Sequence, residues 1–317
     1  MNNYPLTFEP ILIEKVWGGR NLERFGKQLP PAVLIGESWE LADLPETIPN
    51  GRSVISNGPL AGKTLREVVG GDGFPLLVKF LDAHDNLSVQ VHPSETYAAK
   101  NPETHLKSEA WVILDSTPKG RIYIGLKDGT TEEVLRESIE HDSVPEHLHA
   151  IDVKQGECYF LPSGTCHALG AGVLVAEVQT PSDTTFRLWD WGRTSRTMHV
   201  DQAMECIDFD STISQEAVPT PMQCGPFETT KLVDTPFFSI ERIKALNDAS
   251  MELVVDEGSP AVLMVIEGHA TIEHEHGVDA AKGTTVLLPA SMQHAILQMV
   301  QGTAVLRFDV PSTTKIA

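Results

Sequence analysis

Short apolar runs broken by Gly, Pro and Asn dominate the chain, and many alternate apolar with polar positions. A period of two predicts β-strands with one buried face, as in residues 8–13, 51–55, 87–92, 110–114 and 157–161. Residues 74–81 read as a continuous apolar strand. Helical spacing is confined to short stretches. Thr64, with Glu67 three residues on, has the spacing of a capping box ahead of Val68 and Val69. Val134, Leu135 and Ile139 follow a cap at Thr130 or Thr131 and predict a small helical insert near 128–150. Residues 200–207 read as one more helix, and 211–226, rich in Ser, Pro and Thr, as a linker.

The pattern also copies itself. Gly156, Pro162 and His167 recur as Gly283, Pro289 and His294, all at an offset of 127 residues. Upstream, Trp111-Val112-Ile113-Leu114-Asp115 matches Leu263-Met264-Val265-Ile266-Glu267 at offset 152. Ser88-Val89-Gln90-Val91-His92 matches Ser239-Ile240-Glu241-Arg242-Ile243 at offset 151. The change from 152 to 127 gives the first copy 25 extra residues, and these fall around the helical insert. A repeat of short strands at this length predicts a mainly β chain of two related barrels or sandwiches in tandem, within 1–210 and 227–317.

Composition narrows the classes. With 317 residues, 41% of them hydrophobic, each half can fill a core. No apolar run approaches the length of a membrane-spanning helix, and Met1-Asn2-Asn3-Tyr4-Pro5 lacks the basic-then-apolar pattern of a leader. Cys158, Cys166, Cys206 and Cys224 show no CxxC spacing and fit the reduced thiols of a cytoplasmic protein. A formal charge of −20 argues against nucleic acid or an anionic membrane as partner. An anionic small molecule would then depend on the few cations near its site, with Lys100, Lys107 and Arg187 as candidates.

Four residues in the first copy have the character of metal ligands. Gln90 and His92 stand at i and i+2 of one strand and leave the same face. Glu109 directly precedes the apolar run 110–114, and His167 follows the Pro162/Gly164 turn that ends the run 157–161. Taken singly, each has an ordinary explanation as a surface or satisfied core residue. Together they bring two nitrogen and two oxygen donors from three strands to one point, a set that suits Zn²⁺. An ionised Glu entering a barrel interior is costly unless it is paired or metal-bound. In the second copy His92 and Glu109 align with Ile243 and Ala261, so only His294 survives and one live site per chain is expected. His269, His274 and His276 read as exposed hairpin residues.

The motifs also carry a resemblance. Leu87-Ser88-Val89-Gln90-Val91-His92-Pro93, Lys107-Ser108-Glu109-Ala110-Trp111, Pro162-Ser163-Gly164-Thr165-Cys166-His167-Ala168 and Ser182-Asp183-Thr184-Thr185-Phe186-Arg187-Leu188 resemble the type I mannose-6-phosphate (phosphomannose) isomerases. So do Val16-Trp17-Gly18-Gly19 and Gly36-Glu37-Ser38-Trp39-Glu40. The likeness spans most of 5–210 and is closer to the short bacterial form. It implies two tandem cupin barrels (jelly-roll, double-stranded β-helix) and a zinc-dependent enzyme that interconverts mannose 6-phosphate and fructose 6-phosphate through a cis-enediol. Carried over by motif, Gln90, His92, Glu109 and His167 are the zinc ligands, Arg187 the active-site arginine, and Lys107 and Asp183 neighbours implicated in catalysis. Cys166 stands where an aliphatic residue is frequent and Phe186 where Tyr is common. Other classes compatible with the residues are a non-catalytic sugar-sensing bicupin with a structural metal, and a cupin iron dioxygenase.

Overall fold

The alternating runs become antiparallel strands collected into four open sheets, none of which closes into a barrel. The computed structural model describes residues 3–71, 73–210, 219–256 and 258–311. A six-stranded sheet runs in the order Ile11–Gly19, Ile35–Leu41, Leu77–Ala83, Val173–Gln179, Glu109–Ser116 and Cys158–Leu161. Facing it is a five-stranded sheet of Phe186–Trp189, Val89–Val91, His167–Leu169, Arg121–Leu126 and Leu148–Asp152. The trailing half builds a seven-stranded sheet around Ala261–Glu267, Ala304–Asp309 and Ser239–Ala245, and a four-stranded sheet that contains Ala249–Val254 and His294–Met299.

Strand phase sets the stacking. Along Glu109–Ser116, Trp111 and Ile113 point toward the five-stranded sheet and pack with Ile122, Ile124 and Leu169. Ala110, Val112 and Leu114 point the other way and share a core with Leu232, Phe238, Ile240, Met264, Leu306 and Phe308 of the trailing half. The central strands of the six-stranded sheet are thus buried on both faces, which accounts for the apolar character of residues 74–81, Lys79 apart. The four sheets stack five, six, seven, four. The halves are joined further by Leu6–Thr7, which pairs with the Thr285–Leu288 strand of the trailing half.

The internal repeat appears in the pairing. Glu109 faces Leu161 and Ala261 faces Leu288, the same rung at offsets of 152 and 127. The offset of 151 is corrected. Ser239–Ala245 lies between Phe227–Asp234 and Ala304–Asp309, the place that Leu77–Ala83 holds between Ile35–Leu41 and Val173–Gln179. The counterpart of Val89–Val91 is Ala249–Val254: Gln90 pairs with His167 as Val254 pairs with His294. The two candidate strands share an alternating pattern, and alternation cannot say which sheet a strand joins.

Thr64 and Glu67 form the capping box of the Leu65–Val69 helix. Thr131 caps Glu132–Glu140, the helix of the insert, and Val200–Cys206 is helical. Within the span read as linker, residues 211–218 lie outside the described residues, whereas Met222–Cys224 is an edge strand on Phe227–Asp234 rather than linker.

Candidate metal centre and active site

Three neighbouring strands set Arg187, Gln90 and His167 side by side, because Gln90 pairs with His167 on one flank and Arg187 on the other. His92 follows one step past the end of Val89–Val91. Glu109 begins its strand in the opposite sheet, so it meets the histidines across the gap between sheets. His92, Glu109 and His167 are all buried, and each offers a ligand atom within 4.8 Å of the others. His92 Nε2 lies 3.4 Å from Glu109 Oε2, and His167 Nε2 lies 3.2 Å from Glu109 Oε1. The Gln90 carboxamide ends 3.3 Å from His167 Nε2.

The outer nitrogens decide what this cluster is for. His92 Nδ1 lies 3.1 Å from the Thr184 carbonyl, and His167 Nδ1 lies 2.8 Å from that of Thr165. A carbonyl only accepts, so both Nδ1 atoms carry the proton and both Nε2 atoms of the neutral rings present lone pairs. Those lone pairs face the carboxylate oxygens of Glu109. Among the described residues, His92 Nε2 and both Glu109 oxygens are buried without a hydrogen-bond partner, apart from the ion pair that Lys107 makes with Glu109 Oε2. Lone pairs converging in a dry interior repel unless a cation lies between them, and a carbonyl behind each ligand imidazole is the usual support of a metal site. The donor set therefore fits a metal ion.

The electrostatics agree. Burial first, then the charge of Lys107, pushes His92 down to about 3, so its ring is neutral at ordinary pH. Burial alone would raise the Glu109 carboxyl, but the Lys107 ammonium, His92 and His167 together outweigh it and hold the group well below the usual range. Lys107 is itself buried, with Nζ 3.0 Å from Glu109 Oε2.

A cavity of about 110 Å³ opens beside the cluster, with Gln90, Lys107, Asp183 and Arg187 among its lining residues. Asp183 is exposed at its edge. Arg187 is half-buried and donates from Nε to Ser88 Oγ at 3.2 Å and from Nη1 to the Thr197 carbonyl at 2.9 Å. Lys100 is exposed at the end of the Glu95–Lys100 helix and lines no part of this cavity, so it leaves the set of candidate cations. Trp39 lines the cavity, whereas Trp189 packs at a tilt against Trp191 outside it. Cys166 is buried among apolar neighbours, and burial pushes its thiol up to about 12. A larger groove, about 840 Å³, runs past Asp82, Asp115 and Arg121, but none of the ligand residues lines it.

Sequence reasoning missed the floor of the cavity. Lys79 Nζ lies 2.8 Å from Glu177 Oε1 and 3.5 Å from Glu37 Oε2, and Lys15 Nζ lies 2.9 Å from Glu37 Oε1. Trp111 Nε1 donates to Glu177 at 2.9 Å, and Trp39 Nε1 to Glu37 at 2.7 Å. Burial would lower the Lys79 ammonium, but Glu177 and Glu37 together keep it above its ordinary range. Burial, then the nearby charge of Glu109, raises the Glu177 carboxyl. The signal was present in the sequence: one lysine and one glutamate, each inside an otherwise apolar strand.

A mainly β sandwich with a buried His/Glu/His cluster beside a cationic cavity defines a metal-site enzyme class rather than one protein. Comparisons with known proteins narrow it. The family model for the catalytic domain of type I phosphomannose isomerase matches residues 7–132, which include Gln90, His92 and Glu109. The mannose-6-phosphate isomerase ManA of Bacillus subtilis is 36% identical over 307 residues, covering 91% of this chain and 94% of that protein. A Streptococcus mutans mannose-6-phosphate isomerase is 32% identical over 310 residues, 91% and 93% of the two chains. The crystal structure of the Bacillus subtilis mannose 6-phosphate isomerase superposes with a TM-score of 0.85 at 30% identity, over 96% of this chain and 99% of that one. The chain belongs to the type I phosphomannose isomerase family and is an isomerase enzyme.

Proposed function

We propose that this chain interconverts mannose 6-phosphate and fructose 6-phosphate, with one Zn²⁺ held by Gln90, His92, Glu109 and His167. The observation that carries the proposal is the convergence of buried ligand atoms of His92, Glu109 and His167, with His92 Nε2 and Glu109 Oε1 lacking a hydrogen-bond partner among the described residues, beside a cavity lined by Lys107 and Arg187. Two imidazoles, a carboxylate and a carboxamide suit zinc as a borderline divalent ion. The relatives' names, mannose-6-phosphate isomerase, support the sugar phosphate, and fructose 6-phosphate is the ketose that isomerisation between C1 and C2 yields.

When bound, the cation supplies Lewis-acid stabilisation for charge developing on the sugar oxygens. The protein's own groups do the rest. Isomerisation moves a proton between C2 and C1 through a cis-enediol. We assign that transfer to Lys107, with Asp183 at the cavity edge as its acid partner. Among the described residues Arg187 has no carboxylate paired with it, and it takes the phosphate or the enediolate oxygens. We read each pair of facing sheets as a cupin barrel, the first being the catalytic domain of residues 1–210 and the second a degenerate companion of 227–317. Among the described residues no helix is long and apolar enough to cross a membrane. We place the enzyme in the cytoplasm because its four cysteines are free thiols, which a reducing compartment maintains.

The test is metal analysis of purified protein with a coupled assay on mannose 6-phosphate. About one zinc per chain is expected, with turnover lost on chelation and regained with Zn²⁺. Full turnover by metal-free protein would overturn the zinc assignment. A zinc-replete protein inert toward mannose 6-phosphate would overturn the substrate.

A further inference from the structure

The cavity has a second arginine that no motif singled out. Arg196 lines it together with Arg187 and Ser88. The guanidiniums stand close enough that, after burial, the charge of Arg196 helps push Arg187 below its ordinary range. Arg187 is anchored to neutral acceptors alone, the Ser88 hydroxyl and the Thr197 carbonyl. Arg196 is fixed from behind by a charge. Asp190 is buried, and its Oδ2 accepts from Arg196 Nε at 2.8 Å while its Oδ1 accepts from Arg196 Nη2, a bidentate pair.

The same Oδ1 accepts from Arg193 Nη2 at 2.7 Å. Arg193 in turn reaches the Asn86 carbonyl at 2.5 Å and Asp85 Oδ2 at 3.2 Å, in the loop just ahead of the strand that bears Gln90. Trp191 takes a left-handed turn, φ 54, beside Asp190, and its Nε1 donates to the Leu87 carbonyl at 2.5 Å. Residues 190–196 are therefore clamped to the ligand strand at several points. Burial would raise the Asp190 carboxyl, but the hydrogen bonds from Arg196 and Arg193 outweigh it and hold it below the usual range.

We infer that Arg196 is a second phosphate-contacting cation of this cavity and that Asp190 is the positioning residue that presents it. The inference rests on the sugar-phosphate reading given above. Charge supports it: Asp190 answers Arg196, the exposed Asp85 answers Arg193, and Arg187 is left with no carboxylate partner among the described residues. The cluster retains surplus positive charge in a chain of formal charge −20, and a phosphate dianion supplies what it lacks. A guanidinium held in place before the ligand arrives spares the ligand the cost of ordering it.

Steady-state kinetics of the zinc-loaded enzyme on mannose 6-phosphate, with inorganic phosphate as competitive inhibitor, test this. Arg196→Gln and Asp190→Asn should each raise KM and the phosphate inhibition constant by roughly tenfold, about 1.4 kcal/mol. In both, kcat should stay within about threefold of wild type. The double variant should bind phosphate no more weakly than Arg196→Gln alone, since Asp190 acts through Arg196. An unchanged KM and phosphate inhibition in Arg196→Gln overturns the inference, and this variant decides it even if Asp190→Asn fails to fold. An Asp190→Asn enzyme that loses thermal stability but keeps wild-type phosphate inhibition reduces Asp190 to a structural role. Wild-type enzyme that ignores mannose 6-phosphate would instead remove the substrate reading on which the inference rests.

Discussion

Lys79→Met tests whether the floor of the cavity is a balanced charge cluster. The substitution keeps the length of the side chain and deletes an ammonium that sits between Glu177 at 2.8 Å and Glu37 at 3.5 Å, almost fully removed from water. Deleting one partner of a buried ion pair typically costs about 3–5 kcal/mol, because the other charge stays buried. The two carboxylates will not suffer alike. Glu37 keeps Lys15 at 2.9 Å and the Trp39 indole, so it stays ionised. Glu177 keeps the Trp111 indole and the more distant charge of Lys107, but its carboxyl is already raised by burial and by Glu109, so it takes up a proton. That escape places the expected loss near the lower end, roughly 3 kcal/mol, or on the order of 6 °C in Tm at about 2 °C per kcal/mol. The sign with pH follows. A carboxyl raised in the folded state contributes stability below its unfolded pKa and loses it as pH rises through the folded one. The deficit of Lys79→Met should therefore grow from acidic toward neutral pH, and Glu177→Gln in the same chain should recover part of it. Thermal denaturation across pH 4–8 measures both. A deficit that is independent of pH, or a double variant less stable than Lys79→Met, would falsify the charge-balance argument.

Arg187→Ala should lower kcat/KM by on the order of 10²-fold or more while zinc content, read by metal analysis, stays near one per chain. Its present partners are a hydroxyl and a carbonyl, so little stability should be lost with it. His294→Ala should change neither zinc content nor turnover, since His294 is exposed and pairs with Glu252 at 2.9 Å. The metal-free protein should lose stability as pH falls. His92 is depressed to about 3 in the fold, so its contribution is complete above about pH 6.5 and disappears as pH drops toward 3. Acid titration of the chelated protein, followed by near-UV circular dichroism, reads that window; a flat response would count against a buried neutral His92.

Much of the site was legible because ligand spacing and strand phase speak the same language. Gln90 and His92 share a face only if residues 87–92 are extended, and Glu109 before an apolar run is costly without a cation. The Thr64–Glu67 cap and the Thr131 cap were legible for the same reason, since both are local hydrogen-bond chemistry. What escaped was set by tertiary pairing. Alternation made 239–243 look like the partner of 88–92, and only sheet order showed that 249–254 holds that place. Lys79 and Glu177 vanished into apolar strands because burial pattern reports how deep a residue lies and not what it meets there. Arg196 escaped because its role depends on Asp190 six residues earlier, within a loop that has no periodicity to read.

The central strands of the sheet that carries Glu109 have no wet side. One face looks onto the ligand cluster, and the other rests on Phe238, Leu306 and Phe308 of a half that lacks the ligand set. That trailing half is thus a backing plate, and natural variation within it should track the contour of its inward surface. Cutting the chain after the first half would bare Phe80, Val112 and Val178 to solvent. A stand-alone catalytic fragment would accordingly need a redesigned polar veneer on that side before it could be expected to survive.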